Sequence, residues 1–238
     1  MPRLRLLATA AAIAAATSLA GCRGGGDAAR FPGAPIILIS IDTLRADRLP
    51  AYGSKRVATP AIDRLAADGI LFENAYAHVP LTLPSHTTLL TGRLPYDNGV
   101  RSNIGYRLEG DRARTLPGLL AAQGYATGAA VSAYVLRGET GLGPLFDSYD
   151  DSLEVWEAAT LGALQRRGDD TVQVALRWVD QVRGGDGART KPFFLFVHLF
   201  EPHSPYEPAP PFRDRYPDAY DGEIATVDAV VGRLFAEL

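Results

Sequence analysis

The apolar pattern along the chain predicts strands that alternate with helices. Three runs of mainly apolar residues have the length of buried strands, and they cover Ile36–Ile41, Tyr125–Ala133 and Phe193–His198. The first run ends directly before a carboxylate, Asp42. Strands separated by helical segments favour an α/β fold with a largely parallel sheet.

Helical segments are predicted between and after these strands. Thr59 and Pro60 supply a cap and a first-turn proline for a helix that runs through Ala67 and ends at Gly69. Further helical segments cover Leu116–Gln123, Leu153–Val182 with a break near Gly168, and Glu223–Leu238. The proline-rich piece Glu201–Pro217 is expected to be a loop, and its polar and aromatic residues make it a candidate wall of a binding site.

The first residues have the pattern of a targeting segment. A short basic start precedes a mostly alanine run that is too short and too weakly apolar for a comfortable membrane span. Its end, Leu19-Ala20-Gly21-Cys22, resembles a bacterial lipobox. The alternative interpretations are an ordinary secretory signal and an uncleaved anchor. We expect a signal peptide over 1–21, a glycine-rich tether over 22–33 and a domain over 34–238. A lipid on Cys22 would then hold the protein at the cell envelope, outside the cytoplasm.

Composition narrows the function classes. The 238 residues carry 24 Lys and Arg against 27 Asp and Glu, for a formal charge of −3, so the basic surface of a typical nucleic-acid binder is not expected. Apolar residues make up 47%, as in a folded domain with a sizeable core. The single cysteine excludes a disulfide scaffold and a cysteine-based zinc site.

Polar residues stand at two places where α/β folds bind ligands. Asp42 follows the first strand, and ligands of open α/β sheets gather at the carboxyl ends of strands. A carboxylate at this position can bind a cation. On position alone, a role as a helix cap or as the partner of a nearby arginine is equally supported. Thr82, just before Pro84, places a hydroxyl at a helix N-terminus, where free N–H groups favour an oxyanion. Without further evidence, the simpler interpretation of Thr82 is an N-cap residue rather than an anion-binding one. His86, one turn further along, is likewise interpreted as a structural residue rather than a ligand.

Three blocks of sequence carry a more specific signal. They are Ile41–Asp47, then Thr82–His86 with Leu90–Pro95 and Gly99-Val100, and then Pro202–Tyr206. Together, and in this order, they resemble the N-terminal part of a sulfatase-type domain of the alkaline phosphatase superfamily. The resemblance implies a three-layer α/β sandwich, with a largely parallel central sheet flanked by helices and the C-terminal part of the fold missing. It also implies a metal-dependent hydrolase of sulfate or phosphate esters.

The resemblance gives a role to five positions. Asp42 falls at the first metal-ligating aspartate and Thr82 at the nucleophile, which also contacts the metal. His86 falls where sulfatases keep an arginine that steadies the nucleophile. Asn103 matches an asparagine that holds a substrate oxygen, and His203 matches a histidine at the leaving-group oxygen. The implied cofactor is a divalent ion, Ca, Mn or Zn.

Departures from the family pattern affect the expected chemistry. Thr43 replaces a second aspartate, and the segment 131–134 lacks the usual lysine and histidine. Further metal ligands would lie beyond Leu238, so we expect either a fragment of a longer protein or a chain that is inactive as given. Threonine cannot form the aldehyde that sulfatases make from cysteine or serine. Direct attack by Thr82 on phosphorus, or less favourably on sulfur, is therefore expected, with Ser85 ranked well below it.

The sequence is also compatible with two functions other than hydrolysis. One is a head-group transferase of the same superfamily, and another is a catalytically inactive, lipid-anchored binding domain. The expected partner of the enzyme is a small-molecule, glycan or lipid ester, not a nucleic acid. Of the remaining histidines, His78 is interpreted as structural, and no motif supports a ligand role for His198.

Overall fold

The structure, a computed structural model, describes residues 31–153, 164–184 and 191–238. The predicted signal peptide and residues 22–30 of the predicted tether, including Cys22, lie outside these ranges, as do residues 154–163 of the predicted helical stretch. Within the described ranges, every helix is too short or too polar to cross a membrane.

The strands form one parallel sheet in the order β1-β4-β2-β3. Their bounds are β1 Ile36–Ile41, β2 Ala126–Val131, β3 Ser148–Asp150 and β4 Phe193–Leu199. The three predicted strands are confirmed, and β3 is a short edge strand that the apolar pattern did not indicate. β4 is buried along its whole length because it lies between β1 and β2.

Most helices lie in segments where the sequence predicts them, with some changes at their ends. Two four-residue helices, Pro95–Asn98 and Phe212–Arg215, were not predicted, and the second lies in the piece Glu201–Pro217 that was expected to be a loop. Their bounds are α1 Pro60–Asp68, α2 Thr82–Thr91, α3 Pro95–Asn98, α4 Leu116–Ala122, α5 Gly168–Gly184, α6 Phe212–Arg215 and α7 Ala219–Glu237. Short 3₁₀ turns cover Ala46–Arg48, Pro50–Tyr52, Arg112–Arg114, Tyr134–Leu136, Gly138–Thr140 and Gly143–Leu145.

Two helix predictions need correction. The last helix begins at Ala219 rather than Glu223, because the Asp218 carboxylate accepts the Tyr220 N–H and caps it. The described residues before Gly168 are not helical, since Gln165 forms an antiparallel bridge with Ala133.

Apolar side chains cover both faces of the sheet. Alternate residues of a strand point to opposite faces, and in β4 Phe194 and Phe196 join the cluster that contains Leu83 of α2. The residues of β4 on the other face join the cluster formed with α5 and α7, which contains Phe193, Leu195, Val197, Leu199, Val172, Val179, Val230 and Leu234. Burial of each large side chain contributes about 1.5–3 kcal/mol. Helices on both faces make the predicted three-layer sandwich.

Candidate active site

Asp42 lies at the carboxyl end of the sheet, as the sequence predicts. Pairing of β1 with β4 continues one residue beyond the strand, where the Asp42 N–H donates to the Leu199 carbonyl at 2.9 Å. Thr43 then turns the chain with a positive φ of 53°, which is uncommon for a β-branched residue. The Tyr220 hydroxyl donates to the Thr43 carbonyl at 2.7 Å, and the Thr43 hydroxyl donates to the Pro202 carbonyl at 2.5 Å. These bonds hold the backbone turn that directly follows Asp42.

The Thr82 hydroxyl points at this carboxylate. Thr82 is the first residue of α2, and the N-cap position is Leu81, so the N-cap interpretation of Thr82 is wrong. Its Oγ1 donates to Asp42 Oδ2 at 3.0 Å. A hydroxyl held by a carboxylate has its oxygen lone pairs free for a cation or for an electrophile.

The first turn of α2 offers fewer free N–H groups than the sequence suggests. Asn103 Oδ1 accepts the Leu83 N–H at 2.8 Å, Pro84 has no N–H, and the Ser85 N–H bonds to the Leu81 carbonyl. The expectation of several free donors for an oxyanion is therefore wrong. Because the Asn103 oxygen is used in this bond, its NH₂ group is the part of the side chain that can reach a substrate oxygen.

His86 holds the main chain of Thr82 rather than its hydroxyl. Its Nδ1 lies 2.7 Å from the Thr82 carbonyl oxygen, which can only accept, so Nδ1 carries the proton. Its Nε2 accepts from the Ser40 hydroxyl at 2.7 Å. Burial, helped by the nearby His198, lowers the pKa of His86 to about 4. The ring is therefore neutral at pH 7, and it cannot supply the positive charge of the arginine that sulfatases place here.

His198 is a site residue that the sequence analysis missed. Its side chain is fully buried at the end of β4, with Nε2 3.6 Å from Asp42 Oδ2 and its ring edge against His86, 4.9 Å between centroids. Burial opposes ionisation of Asp42, but contact with His198 and His86 and the Thr82 hydroxyl together lower its pKa below the usual value. The signal for His198 was its place at the carboxyl end of a central strand, the same criterion that selects Asp42.

The predicted site residues meet at one cleft. A cavity of about 520 Å³ is lined by Asp42, Thr82, His86, Asn103 and His203, with Ser85 beside them. The His203 ring packs against Phe200, 4.3 Å between centroids, and its Nδ1 donates to the Ser204 carbonyl at 2.7 Å. This bond leaves Nε2 of His203 for a ligand.

Metal-ligating groups are sparse in the described part of the chain. Across residues 31–153, 164–184 and 191–238, no group of three His, Cys, Asp or Glu side chains is arranged to hold a metal ion. The neighbouring oxygens of Asp42 and Thr82 fit a hard or borderline divalent cation as two of its ligands.

A parallel sheet between two helical layers, with a hydroxyl and a carboxylate paired at its carboxyl end, is the arrangement expected of an alkaline phosphatase-like α/β protein. The Sulfatase family model matches residues 35–238, and the chain belongs to the sulfatase family.

Relatives of known activity match over most of this chain. N-acetylglucosamine-6-O-sulfatase of Bacteroides thetaiotaomicron is 30% identical over 185 residues, which are 74% of this chain and 32% of that protein. N-acetylgalactosamine-6-sulfatase of Homo sapiens is 27% identical over 245 residues, which are 84% of this chain and 45% of that protein. The chain thus spans less than half the length of these two relatives.

A solved structure shows the same fold. The crystal structure of Ps i-CgsB in complex with k-i-k-neocarrahexaose matches with a TM-score of 0.66 at 24% identity, over 86% of this chain and 55% of that one. At this identity the match supports the architecture alone.

Proposed function

We propose that this chain supplies the nucleophile of a hydrolase of sulfate or phosphate esters, and that the nucleophile is Thr82. The observation that carries the proposal is the 3.0 Å bond from Thr82 Oγ1 to Asp42 Oδ2 at the wall of the cleft. Membership of the sulfatase family supports ester hydrolysis, and the two relatives described above are sulfatases of N-acetylated amino sugars. A sulfated or phosphorylated glycan is therefore the first substrate class to test.

The reaction we propose has two displacements. The Thr82 oxygen attacks the sulfur or phosphorus, its proton passes to Asp42, and the bond to the leaving oxygen breaks as a covalent threonine ester forms. His203, in its protonated form, donates the Nε2 proton to the leaving oxygen, and the Asn103 NH₂ group holds a non-bridging oxygen. Water then attacks the ester and gives one proton to His203, while Asp42 returns its proton to the Thr82 oxygen. This restores the Thr82 hydroxyl and both partner side chains, and it releases sulfate or phosphate.

A divalent cation belongs to this proposal as the group that activates the hydroxyl. An alcohol is a weak nucleophile at neutral pH, and a bound cation supplies Lewis-acid activation and neutralises charge on the transferred group. Asp42 and Thr82 would hold it, and Ca, Mn and Zn all stay candidates. The lowered pKa of Asp42 keeps the carboxylate ionised, which is the form that binds cations.

The targeting pattern adds a location to the proposal. A lipid on Cys22 would hold the domain at the cell envelope, where extracellular glycan or lipid esters are accessible. The support for this part is the sequence of the first 22 residues alone.

Covalent labelling tests the proposed nucleophile. The full chain is incubated with aryl sulfate, aryl phosphate and phosphodiester substrates, with and without Mn²⁺, Zn²⁺ or Ca²⁺, quenched in acid and mapped by mass spectrometry. We expect one sulfuryl or phosphoryl group on Thr82, lost in Thr82→Ala and kept in Ser85→Ala, whose side chain borders the same cleft. An adduct on another residue, or an unchanged adduct in Thr82→Ala, would refute the assignment.

A further inference from the structure

The imidazole of His198 is buried without a hydrogen-bond partner. Neither ring nitrogen has a partner among the described residues, and the side chain has no solvent exposure. A buried polar group left unpaired is costly, so a nitrogen in this position calls for a ligand, an ion or a water. His198 pairs in register with Ser40, two residues before Asp42, and alternation along each strand turns all three side chains to the face of α2.

The distance from His198 to Asp42 indicates that the partner of the His198 nitrogen is an ion. The 3.6 Å between His198 Nε2 and Asp42 Oδ2 is too long for a hydrogen bond. Two ligands bound to one cation at 2.0–2.2 Å lie roughly 2.8–3.6 Å apart, for angles between the right angle and the tetrahedral angle. The 3.0 Å from Thr82 Oγ1 to the same Asp42 oxygen also falls in this range. The spacing therefore matches donors around a shared ion.

We infer that His198 Nε2 is a third protein ligand of the divalent cation held by Asp42 and Thr82, an inference that rests on the proposed function. The three side chains come from β4, the end of β1 and the start of α2, which the sheet brings to one edge. With these three ligands in place, the other coordination positions stay available for a substrate oxygen and for the further ligands that the family resemblance implies. An imidazole in the set favours Zn²⁺ over Ca²⁺, because Ca²⁺ takes oxygen ligands.

His86 also borders the cleft, but its ring nitrogens are not available as ligands. Its Nδ1 proton is donated to the Thr82 carbonyl, and its Nε2 lone pair accepts the Ser40 hydroxyl. Of the two buried histidines, His198 alone has a nitrogen that faces Asp42 without a hydrogen bond of its own within the described ranges.

Metal titration of the full chain tests the inference without reference to activity. Cys22, the only cysteine, is first blocked by alkylation so that it cannot bind Zn²⁺. Relative to wild type, His198→Gln should weaken Zn²⁺ binding on the order of 100-fold, since even outer-shell changes cost 10–100-fold, while Ca²⁺ affinity changes less than about twofold. His78→Gln, on an exposed side chain, is the matched control and should bind as wild type does. Equal Zn²⁺ affinity in wild type and His198→Gln would overturn the inference.

A measurement on the wild-type protein covers the case in which the His198 variant fails to fold. The chain has four histidines, so their ring nitrogens can be resolved by ¹⁵N NMR. On addition of Zn²⁺ we expect one ring, assigned to His198, to show a metal-bound Nε2 and a protonated Nδ1. A His198 ring that keeps protons on both nitrogens and does not respond to Zn²⁺ would refute the ligand role. The metal titration and the NMR measurement can both be interpreted even if Thr82 is not labelled. The proposal that Thr82 is the nucleophile and the proposal that His198 is a metal ligand can therefore fail separately.

Discussion

The two faces of β4 contrast sharply, although they belong to one seven-residue strand. On one face, Phe193, Leu195 and Val197 pack in a cluster of apolar residues from α5, α7 and the neighbouring strands. We call this the packed face. On the other face, the same strand ends in His198, which meets Asp42 and His86. We call this the site face.

The contrast separates stability from chemistry within one sheet. Apolar burial supplies most of the stabilisation of a domain, whereas a buried polar cluster costs free energy unless its groups are paired. On the site face, Ser40, His86, Thr82 and Asp42 form a chain of hydrogen bonds, and His198 lies at its margin without one. We therefore expect variants of the two faces to have opposite signatures.

The largest expected effect is on activity, from the site face. Thr82→Val keeps the shape of the side chain and removes the oxygen, so turnover of the substrate found by covalent labelling should fall on the order of 10³-fold or more. The free energy of unfolding should change by less than about 1 to 1.5 kcal/mol, since one hydrogen bond is lost. Steady-state kinetics and urea unfolding measure the two quantities. A stable variant with wild-type turnover would contradict the distinction between the faces.

The packed face should give the reverse result. Leu234 of α7 has no solvent exposure, so Leu234→Ala should lower the free energy of unfolding by about 2–5 kcal/mol through lost burial and the cavity left behind. Turnover per folded molecule should stay within about twofold. The neighbouring Phe235 is 41% exposed, so Phe235→Ala is a matched control with a much smaller expected loss. If Leu234→Ala were to lose turnover at full stability, the packed face would also carry part of the site.

The same strand shows how far the sequence could predict the molecule. The three apolar runs that alternate with helical segments were enough to predict a parallel sheet, and Asp42 and Thr82 were enough to predict a site at its carboxyl end. Periodicity could not separate the two faces of a strand that is buried on both, and no motif gave His198 a ligand role. Which donors of α2 are used was also unpredictable, because Asn103 reaches Leu83 from a distant segment and the bond depends on the tertiary fold.

The site face should also lose stability in acid. Burial lowers the pKa of His86 to about 4, from 6.5 in the unfolded chain, so between these values the unfolded state binds more protons and stability falls as the pH falls. This shift corresponds to about 3 kcal/mol between pH 7 and pH 4. Urea unfolding of wild type and His86→Gln at several pH values should show a shallower decline in the variant. The exposed His78→Gln should follow wild type, and an identical decline in all three would mean that His86 is not buried neutral.

The smallest expected effect comes from the link that joins the site face to α7. The Tyr220 hydroxyl donates to the Thr43 carbonyl at 2.7 Å and accepts the Arg45 N–H at 3.0 Å, so it holds the left-handed turn that follows Asp42. Tyr220→Phe should lower the free energy of unfolding by about 1–2 kcal/mol, because two main-chain groups lose their partner. Tyr206→Phe, on the exposed ring that packs against Tyr220, should change it by less than about 0.5 kcal/mol. The informative readout is the comparison with Thr82→Val. If the turn only positions Asp42, Tyr220→Phe should lower turnover by no more than about tenfold, and a loss as large as that of Thr82→Val would place the turn itself in the reaction.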